Sequence, residues 1–344
     1  MNPLIWALLI TSISTSTIIT MSSSHWLLAW LGLELNTLSI LPIIMKPGHP
    51  RATEATTKYF LIQTTAAALI LCATTMNAWK TGQWTISYTP TPAATTLLTI
   101  AIAMKLGLAP THLWYPEVMQ GSTTGTALII STWQKIAPLS LLMMTHNNLN
   151  TNLLLALGLA SAAIGSWGGL NQTQTRKIMA FSSIAHMGWL ITALALNQAL
   201  TTLTMIIYIT MTSTIFNFLA TTMTKTISDT GMTWPISPPL TTTTMLALVS
   251  LAGLPPLTGF MPKWLILKEL STLPLISLLL LMTSLPSLFF YTRLAYFMTI
   301  TTPPTTTNTE YKWRFNTNIK PNTTLIMTSA LLLLPLTPLL YNTT

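Results

Sequence analysis

Eleven stretches of about 20 mainly apolar residues follow one another along the chain, most of them separated by short polar connections. A helix needs about 20 such residues to cross a bilayer, and the hydrocarbon core offers no water to satisfy exposed backbone groups. Only 6% of the residues are charged and the mean hydropathy is +0.57, whereas soluble domains carry about 25% charged residues. The sequence therefore predicts an all-α, polytopic membrane protein with about eleven transmembrane helices.

The predicted spans define the organisation of the chain. In order, they cover residues 3–21, 25–44, 59–78, 94–118, 126–144, 152–170, 178–196, 199–223, 243–270, 273–297 and 324–341. Threonine is frequent in these spans, but its hydroxyl can bond to a carbonyl of the same helix or to a neighbouring helix, so it is compatible with a span. The predicted domains are a first five-helix half at 1–145, a second five-helix half at 152–297, a connection at 298–323 and a last span at 324–344.

The positive residues sort by side of the membrane. If the N-terminus faces a side called side A, ten of the 15 lysines and arginines fall on side A, two fall on side B and three lie inside spans. The side-B residues are Lys80 and Lys268, and the side-A residues are Lys46, Arg51, Lys58, Arg176, Lys177, Lys225, Arg293, Lys312, Arg314 and Lys320. Positive loops mark the non-translocated side, so side A is predicted to be that side. This sorting explains the net charge of +9 without a nucleic-acid partner.

Spans 4 and 9 contain matching combinations of glycine, proline and lysine. The first is Lys105-Leu-Gly-Leu-Ala-Pro110, and the second is Ala252-Gly-Leu-Pro-Pro256 followed by Lys263. Proline removes a backbone donor and clashes with the preceding turn, so both helices are predicted to be interrupted. Spans five apart cross in opposite directions, which predicts two inverted five-helix repeats, each with a broken helix, around a transport pathway. The alternative is that Gly and Pro are simply common in membrane helices.

Four charged residues are predicted to lie at or near the middle of the membrane: Glu34, Lys105, Lys135 and Lys263. Each costs about 2.5–3.5 kcal/mol to insert, so each is a candidate functional residue. Glu34 is predicted to pair with Lys105, but three lysines cannot all pair with one glutamate. Desolvation disfavours a charged ammonium, so these lysines are candidate proton carriers. Each of these residues, taken alone, has a structural alternative: an ion pair that only stabilises the fold, or a lysine that extends to the interface. Lys135 is too deep in its span to reach water.

Three further titratable residues are candidates for the same pathway. His186 lies in span 7 and is predicted to link the two halves, because imidazole titrates near neutral pH. His112 and Glu117 follow the first interruption and are predicted to open a route towards side A. A local structural role is an equal alternative for each of them.

Other kinds of chemistry find no support in the sequence. The single cysteine, Cys72, excludes disulfides within the chain and thiolate metal clusters, and the five histidines are scattered. No glycine-rich nucleotide-binding motif is present. No metal site, and no cofactor bound by this chain, is expected.

Several segments resemble the antiporter-like subunits of respiratory complex I. They are residues 105–118, 133–138, 182–188 and 252–264. The resemblance implies a proton-translocating subunit of the NADH:ubiquinone reductase that performs no redox chemistry itself. It implies a multi-pass position in the mitochondrial inner membrane with side A facing the matrix. It also implies that NAD, FMN, iron–sulfur clusters and ubiquinone are bound by partner subunits. The expected partners are other membrane-arm and supernumerary subunits, membrane lipids and protons.

The resemblance also assigns roles to individual residues. Glu34, Lys105, Lys135 and Lys263 match the positions that carry the proton path in this family. The predicted route runs from Lys105 through Lys135 and His186 to Lys263, and then to side B. Two other functions remain open at this stage, namely a free-standing cation/proton antiporter of the related Mrp type and a structural scaffold with vestigial charges.

Overall fold

The computed structural model describes residues 3–89, 91–234, 237–301, 327–328 and 330–338. Over these ranges the secondary structure is helical, and the only extended pairings are two isolated bridges. The α-helices of the described ranges, numbered α1 to α14 in chain order, are Pro3–Ser22, Trp26–Met45, Pro50–Thr81, Pro92–Leu106, Trp114–Gly121, Thr124–Ser131, Trp133–Met144, Thr151–Gly168, Thr175–Leu196, Gln198–Thr222, Ile227–Gly231, Pro238–Ala252, Phe260–Glu269 and Pro274–Ile300.

These helices confirm the prediction of an all-α polytopic membrane protein. Eight helical segments in the described part of the chain are long and apolar enough to cross a membrane, and the shorter apolar helices α4 and α12 belong to the two predicted broken spans. Ten of the eleven predicted spans therefore have a helical counterpart. Of the eleventh, at 324–341, only 327–328 and 330–338 are among the described residues, and residues 302–323 of the connection lie outside them.

Local sequence signals explain where the interrupted helices begin and end. α4 and α12 each start with a proline in the first turn, Pro92 and Pro238, where the missing N–H costs nothing. They end at Gly107 and Gly253, whose φ angles of +73° and +86° lie in the left-handed region that favours glycine. Both predicted interruptions are therefore present, between α4 and α5 and between α12 and α13.

Threonine hydroxyls are satisfied within the helices, as the sequence predicted. Thr17 donates to the carbonyl of Ser14 at 2.7 Å, Thr204 donates to the carbonyl of Thr201 at 2.9 Å, and many other threonines do the same. Such bonds remove the need for water around the hydroxyl. A threonine-rich helix is in this way compatible with a nonpolar environment.

Span 5 contains an interruption that the sequence did not predict. Helix α6 ends at Ser131 and α7 begins at Trp133. The hydroxyl of Thr132, between them, donates to the carbonyl of Leu128 at 2.7 Å, and back-bonding of this kind bends helices. Pro138, six residues further on, lacks a backbone N–H within α7. Lys135 therefore lies in an irregular part of its span.

The chain divides into two compact units, unit 1 at Met1–Ser161 and unit 2 at Ala162–Thr344. In unit 1, α2 packs against α1, α3 and α7, while α3 also packs against α4 and α5. In unit 2, α9 packs against α10, α13 and α14, and α12 packs against α10 and α14. Each unit thus packs other helices around its own broken helix. The inverted relation of the two halves and the predicted domain limits remain predictions.

Candidate functional site

The first interruption places Lys105 in the last turn of α4. The end of this helix is closed by the N–H of Leu108, which donates to the carbonyl of Ala103 at 2.9 Å. The carbonyl of Lys105 is left without a helical partner, and the side-chain amide of Gln63 donates to it at 3.5 Å. Lys105 itself is only 6% exposed. Its ammonium group is buried and makes no hydrogen bond to any described residue.

A cavity, called cavity 1, lies beside this helix end within unit 1. The space in it that can hold the centre of a water molecule measures about 20 Å³, and both Lys105 and Lys135 line it. The other lining residues come from α2, α3, α4, α5, α6 and α7 and are Leu33, Asn36, Thr37, Tyr59, Gln63, Leu106, Trp114, Tyr115, Ile130, Gln134 and Pro138. This is room for about one water molecule, which can hydrogen-bond to the polar side chains of the lining. The structure therefore brings together two of the predicted proton carriers.

Side-chain amides connect the walls of cavity 1. Gln134 donates from its amide nitrogen to Asn36 at 2.9 Å, and the hydroxyl of Tyr59 lies 3.5 Å from the amide oxygen of Gln134. These contacts link α7 to α2 and α3. Neutral amides and hydroxyls can both donate and accept hydrogen bonds, so they can bind a water molecule in either orientation.

Lys135 is even more deeply buried than Lys105, with 3% of its surface exposed. Its Nζ lies 4.8 Å from the centre of the Tyr115 ring, a geometry in which the ring stabilises a cation. The irregular backbone at Thr132 precedes it. Lys135 thus faces the cavity from a span that is itself interrupted.

The predicted ion pair between Glu34 and Lys105 does not form. Among the described residues, the only ion pairs join Lys58 to Glu54 and to Glu117. One carboxylate oxygen of Glu34 is buried and makes no hydrogen bond to the described residues. Glu34 is near enough to Lys105 and Tyr59 for a coulombic interaction, but its neighbours Asn36 and Thr37, rather than Glu34 itself, line cavity 1.

His112 and Glu117 lie outside cavity 1. His112 is buried in the interruption, where its Nδ1 has no hydrogen-bond partner among the described residues. Glu117, on α5, is half-exposed and pairs with Lys58 near the start of α3. The pair connects the second half of the broken helix to α3, at the end that the sequence predicts to face side A.

The second interruption places Lys263 on α13, after the break. Its ammonium extends back towards α12, where it donates to the carbonyl of Ala252 at 2.8 Å and lies 3.5 Å from the carbonyl of Leu251. Carbonyls at a helix C-terminus lack helical partners and carry a partial negative charge. Lys263 supplies both a donor and a positive charge at this helix end. Its Nζ also lies 5.9 Å from the centre of the Trp189 ring.

A second cavity, called cavity 2, adjoins Lys263 within unit 2. The space in it that can hold the centre of a water molecule measures about 40 Å³. It is lined by His186, Trp189, Thr204, Ile207, Tyr208, Met211, Leu251, Gly259, Pro262, Lys263 and Ile266. His186 approaches the hydroxyl of the buried Tyr291 to 3.2 Å through its Nε2. The predicted residues His186 and Lys263 therefore share a cavity, and Tyr291 extends their hydrogen-bonding group to α14.

If His186 carries protons, as the sequence predicts, replacement of Tyr291 by phenylalanine is expected to slow that transfer severalfold. The change removes the hydroxyl that bonds to His186 but keeps the ring, which packs against Phe290 with 4.4 Å between ring centres. The matched control is Tyr296→Phe, on the same helix but 61% exposed. Proton uptake by membrane vesicles during substrate oxidation measures the effect. Equal rates in the two variants would show that the Tyr291 hydroxyl has no part in transfer.

Sequence reasoning missed most of the polar wall of the two cavities. Asn36, Tyr59, Gln63 and Gln134 in cavity 1 are neutral, so the search for charged residues passed over them. A signal was available, because Tyr59 and Gln63 are one helical turn apart and share a face. Tyr291 carried no such signal, since only the folded chain brings it to His186.

Fold and cavities together define a class: an all-α membrane protein with interrupted helices beside buried lysines. The family described as "NADH:quinone oxidoreductase/Mrp antiporter, TM" matches residues 23–289, and the one described as "NADH dehydrogenase subunit 2 C-terminus" matches residues 288–341. NADH-ubiquinone oxidoreductase chain 2 of Salmo salar is 53% identical over 98% of both chains, and that of Gallus gallus is 52% identical over 99% of both. The chain belongs to the NADH:quinone oxidoreductase/Mrp antiporter family and, within it, to the NADH-ubiquinone oxidoreductase chain 2 group.

Solved structures show the same fold. A chain of respiratory complex I from Thermus thermophilus with bound aureothin is 26% identical, with a TM-score of 0.82 over 95% of this chain and 79% of that chain. A chain of the Mrp complex from a Dietzia species is 16% identical, with a TM-score of 0.75 over 83% of this chain and 59% of that chain. The second likeness concerns the fold alone.

Proposed function

We propose that the chain is a membrane-arm subunit of respiratory complex I that translocates protons, coupled to NADH:ubiquinone electron transfer on other subunits. The observation that carries this proposal is the pair of cavities, each next to an interrupted helix and each lined by a buried lysine. Both cavities offer titratable side chains in a membrane-spanning region. Such groups beside a polar cavity are how membrane proteins relay protons.

Each unit would contribute one segment of the proton pathway. In unit 1 a proton would be exchanged between Lys105 and Lys135 through water and the amides of cavity 1, with Glu34 acting on Lys105 through space. In unit 2 the carriers would be His186 and Lys263. His112 and the exposed Glu117 would form the approach to unit 1 from side A.

The assembly and its location follow from this function. The chain would lie in the mitochondrial inner membrane with side A in the matrix, among other membrane-arm and supernumerary subunits and membrane lipids. NAD, FMN, iron–sulfur clusters and ubiquinone would be bound by those partners. Moving one charge against 100 mV costs about 2.3 kcal/mol, so the driving energy would come from electron transfer in the partner subunits.

Replacement of Lys135 by methionine tests this function. Methionine keeps the length and apolar stem of the side chain but cannot carry a proton. In the complete complex reconstituted into liposomes, we expect fewer protons translocated per electron, with the complex assembled in normal amount. A normal ratio would support the scaffold function and contradict the proposal.

The free-standing Mrp-type antiporter is distinguished by the transported ion. No group of three or more His, Cys, Asp or Glu side chains within the described ranges is arranged to hold a metal ion. The chain reconstituted alone is expected to carry no sodium current, whereas a sodium flux without NADH oxidation would favour the antiporter.

A further inference from the structure

The two interruptions align with each other without a gap. Gly107 and Gly253, which end α4 and α12, are 146 positions apart (253 − 107), and Pro110 and Pro256 have the same separation (256 − 110). The first residues of α5 and α13 are also 146 positions apart (260 − 114). The two broken helices therefore correspond residue by residue.

This correspondence places the two lysines at different positions. Lys105 corresponds to Leu251, and Lys263 corresponds to Glu117. Lys105 lines cavity 1, while Leu251 and Lys263 both line cavity 2. Each interrupted helix thus supplies one lysine to its cavity, but from opposite sides of the break.

The ammonium of Lys263 reaches back to Leu251, the residue that corresponds to Lys105. It reaches the carbonyls of Leu251 and Ala252, which belong to the last turn of α12. The partial negative charge of a helix C-terminus favours a cation there. In both units a lysine therefore lies at the end of the helix that precedes the break. In unit 1 that helix, α4, supplies the lysine itself, whereas in unit 2 the lysine comes from α13, after the break.

Gly253 provides the space for this return. A Cβ atom at position 253 would lie 2.9 Å from both Nζ and Cδ of Lys263, closer than real Cβ contacts allow. At Gly107 the nearest atoms, in Trp114 and Tyr115, are 3.4 Å away, an ordinary contact. A side chain at 253 would displace the flexible end of the lysine, and the φ of +86° would add backbone strain.

We propose that Gly253 is a positioning residue for the proton site of unit 2. Because it lacks a Cβ, the ammonium of Lys263 can bind at the C-terminal carbonyls of α12, and this helix end defines the site. A lysine at position 251 would then serve in place of Lys263. The inference rests on the proposed function, since it assigns a location to the proton that Lys263 carries.

The test compares Gly253→Ala with Lys263→Met and with the control Gly82→Ala in the complete complex. Gly82 ends α3 with a φ of +72°, and a Cβ atom at this position would have no neighbour within 4 Å. Alanine there meets a similar backbone penalty without touching a lysine. Protons translocated per electron and the amount of assembled complex are measured for each. We expect Gly253→Ala to lower the ratio as far as Lys263→Met does, while Gly82→Ala leaves it unchanged.

The outcomes separate this inference from the function itself. Normal translocation by Lys263→Met would overturn the proposed function and the inference with it. Loss in Lys263→Met together with normal translocation by Gly253→Ala would overturn only the inference. If Gly253→Ala does not assemble, the double variant Leu251→Lys/Lys263→Met is compared with Lys263→Met. Translocation restored by the double variant would support the site at the helix end. Translocation as low as in Lys263→Met would overturn it.

Discussion

Replacement of Lys105 by methionine is expected to lower NADH-driven proton translocation on the order of 10²-fold, the typical contribution of a positioned acid–base group. Lys105 is 6% exposed, lines cavity 1 and has a buried ammonium with no hydrogen bond to the described residues. Methionine fills nearly the same space, so packing around α4 is retained. Proton uptake and assembly are measured in the same membranes.

The control for this prediction is Lys80→Met. Lys80 is an exposed lysine in the last turn of α3, so the substitution removes the same charge without touching a cavity. Normal translocation by this control and strong loss in Lys105→Met would locate the effect in cavity 1. Equal proton translocation by the two variants would contradict the assignment of Lys105 as a proton carrier.

Replacement of Arg293 by methionine is expected to destabilise unit 2 by about 3 kcal/mol, from two charge-assisted hydrogen bonds worth about 1.5 kcal/mol each. The guanidinium of Arg293, on α14, donates to the carbonyls of Leu170 and Gln172, each at 2.7 Å. These carbonyls belong to the connection between α8 and α9. Without the arginine they lose charged donors, so the connection loosens from α14.

The expected readout is a lower temperature of thermal inactivation and less assembled complex, with an unchanged number of protons per electron in the complex that remains. Arg293→Lys should be intermediate, because an ammonium cannot reproduce the fork that binds two carbonyls. Arg51→Met, at an exposed arginine, is the control. A change in proton stoichiometry for Arg293→Met would contradict a purely structural role.

Much of the fold could be predicted because membrane insertion is decided segment by segment. An apolar run of about 20 residues, its flanking charges and its prolines act locally. The ten spans with helical counterparts and the two interruptions at Gly107 and Gly253 were found in this way. The interruption at Thr132 was missed, because threonine is common in these helices and its back-bonding to Leu128 depends on the local geometry.

The candidate site was predicted less completely. Charge identified Lys105, Lys135, Lys263 and His186 as residues of interest, and the structure places the first two in cavity 1 and the last two in cavity 2. Charge also suggested that Glu34 would form an ion pair with Lys105, and this prediction was wrong, because the two side chains are not in direct contact. Opposite charges attract over several ångströms, and sequence does not give their separation.

The sequence by itself determined that this chain crosses the membrane, where two of its helices break and which titratable groups lie within the spans, because these properties depend on the composition of single segments. Only the tertiary structure decided which groups share a cavity. His186 and Tyr291 are 105 positions apart and yet hydrogen-bonded, and Lys263 turns back to the end of α12. The reason is physical: a segment's insertion is a local free energy, whereas a hydrogen bond depends on the packing of helices that are distant in the chain.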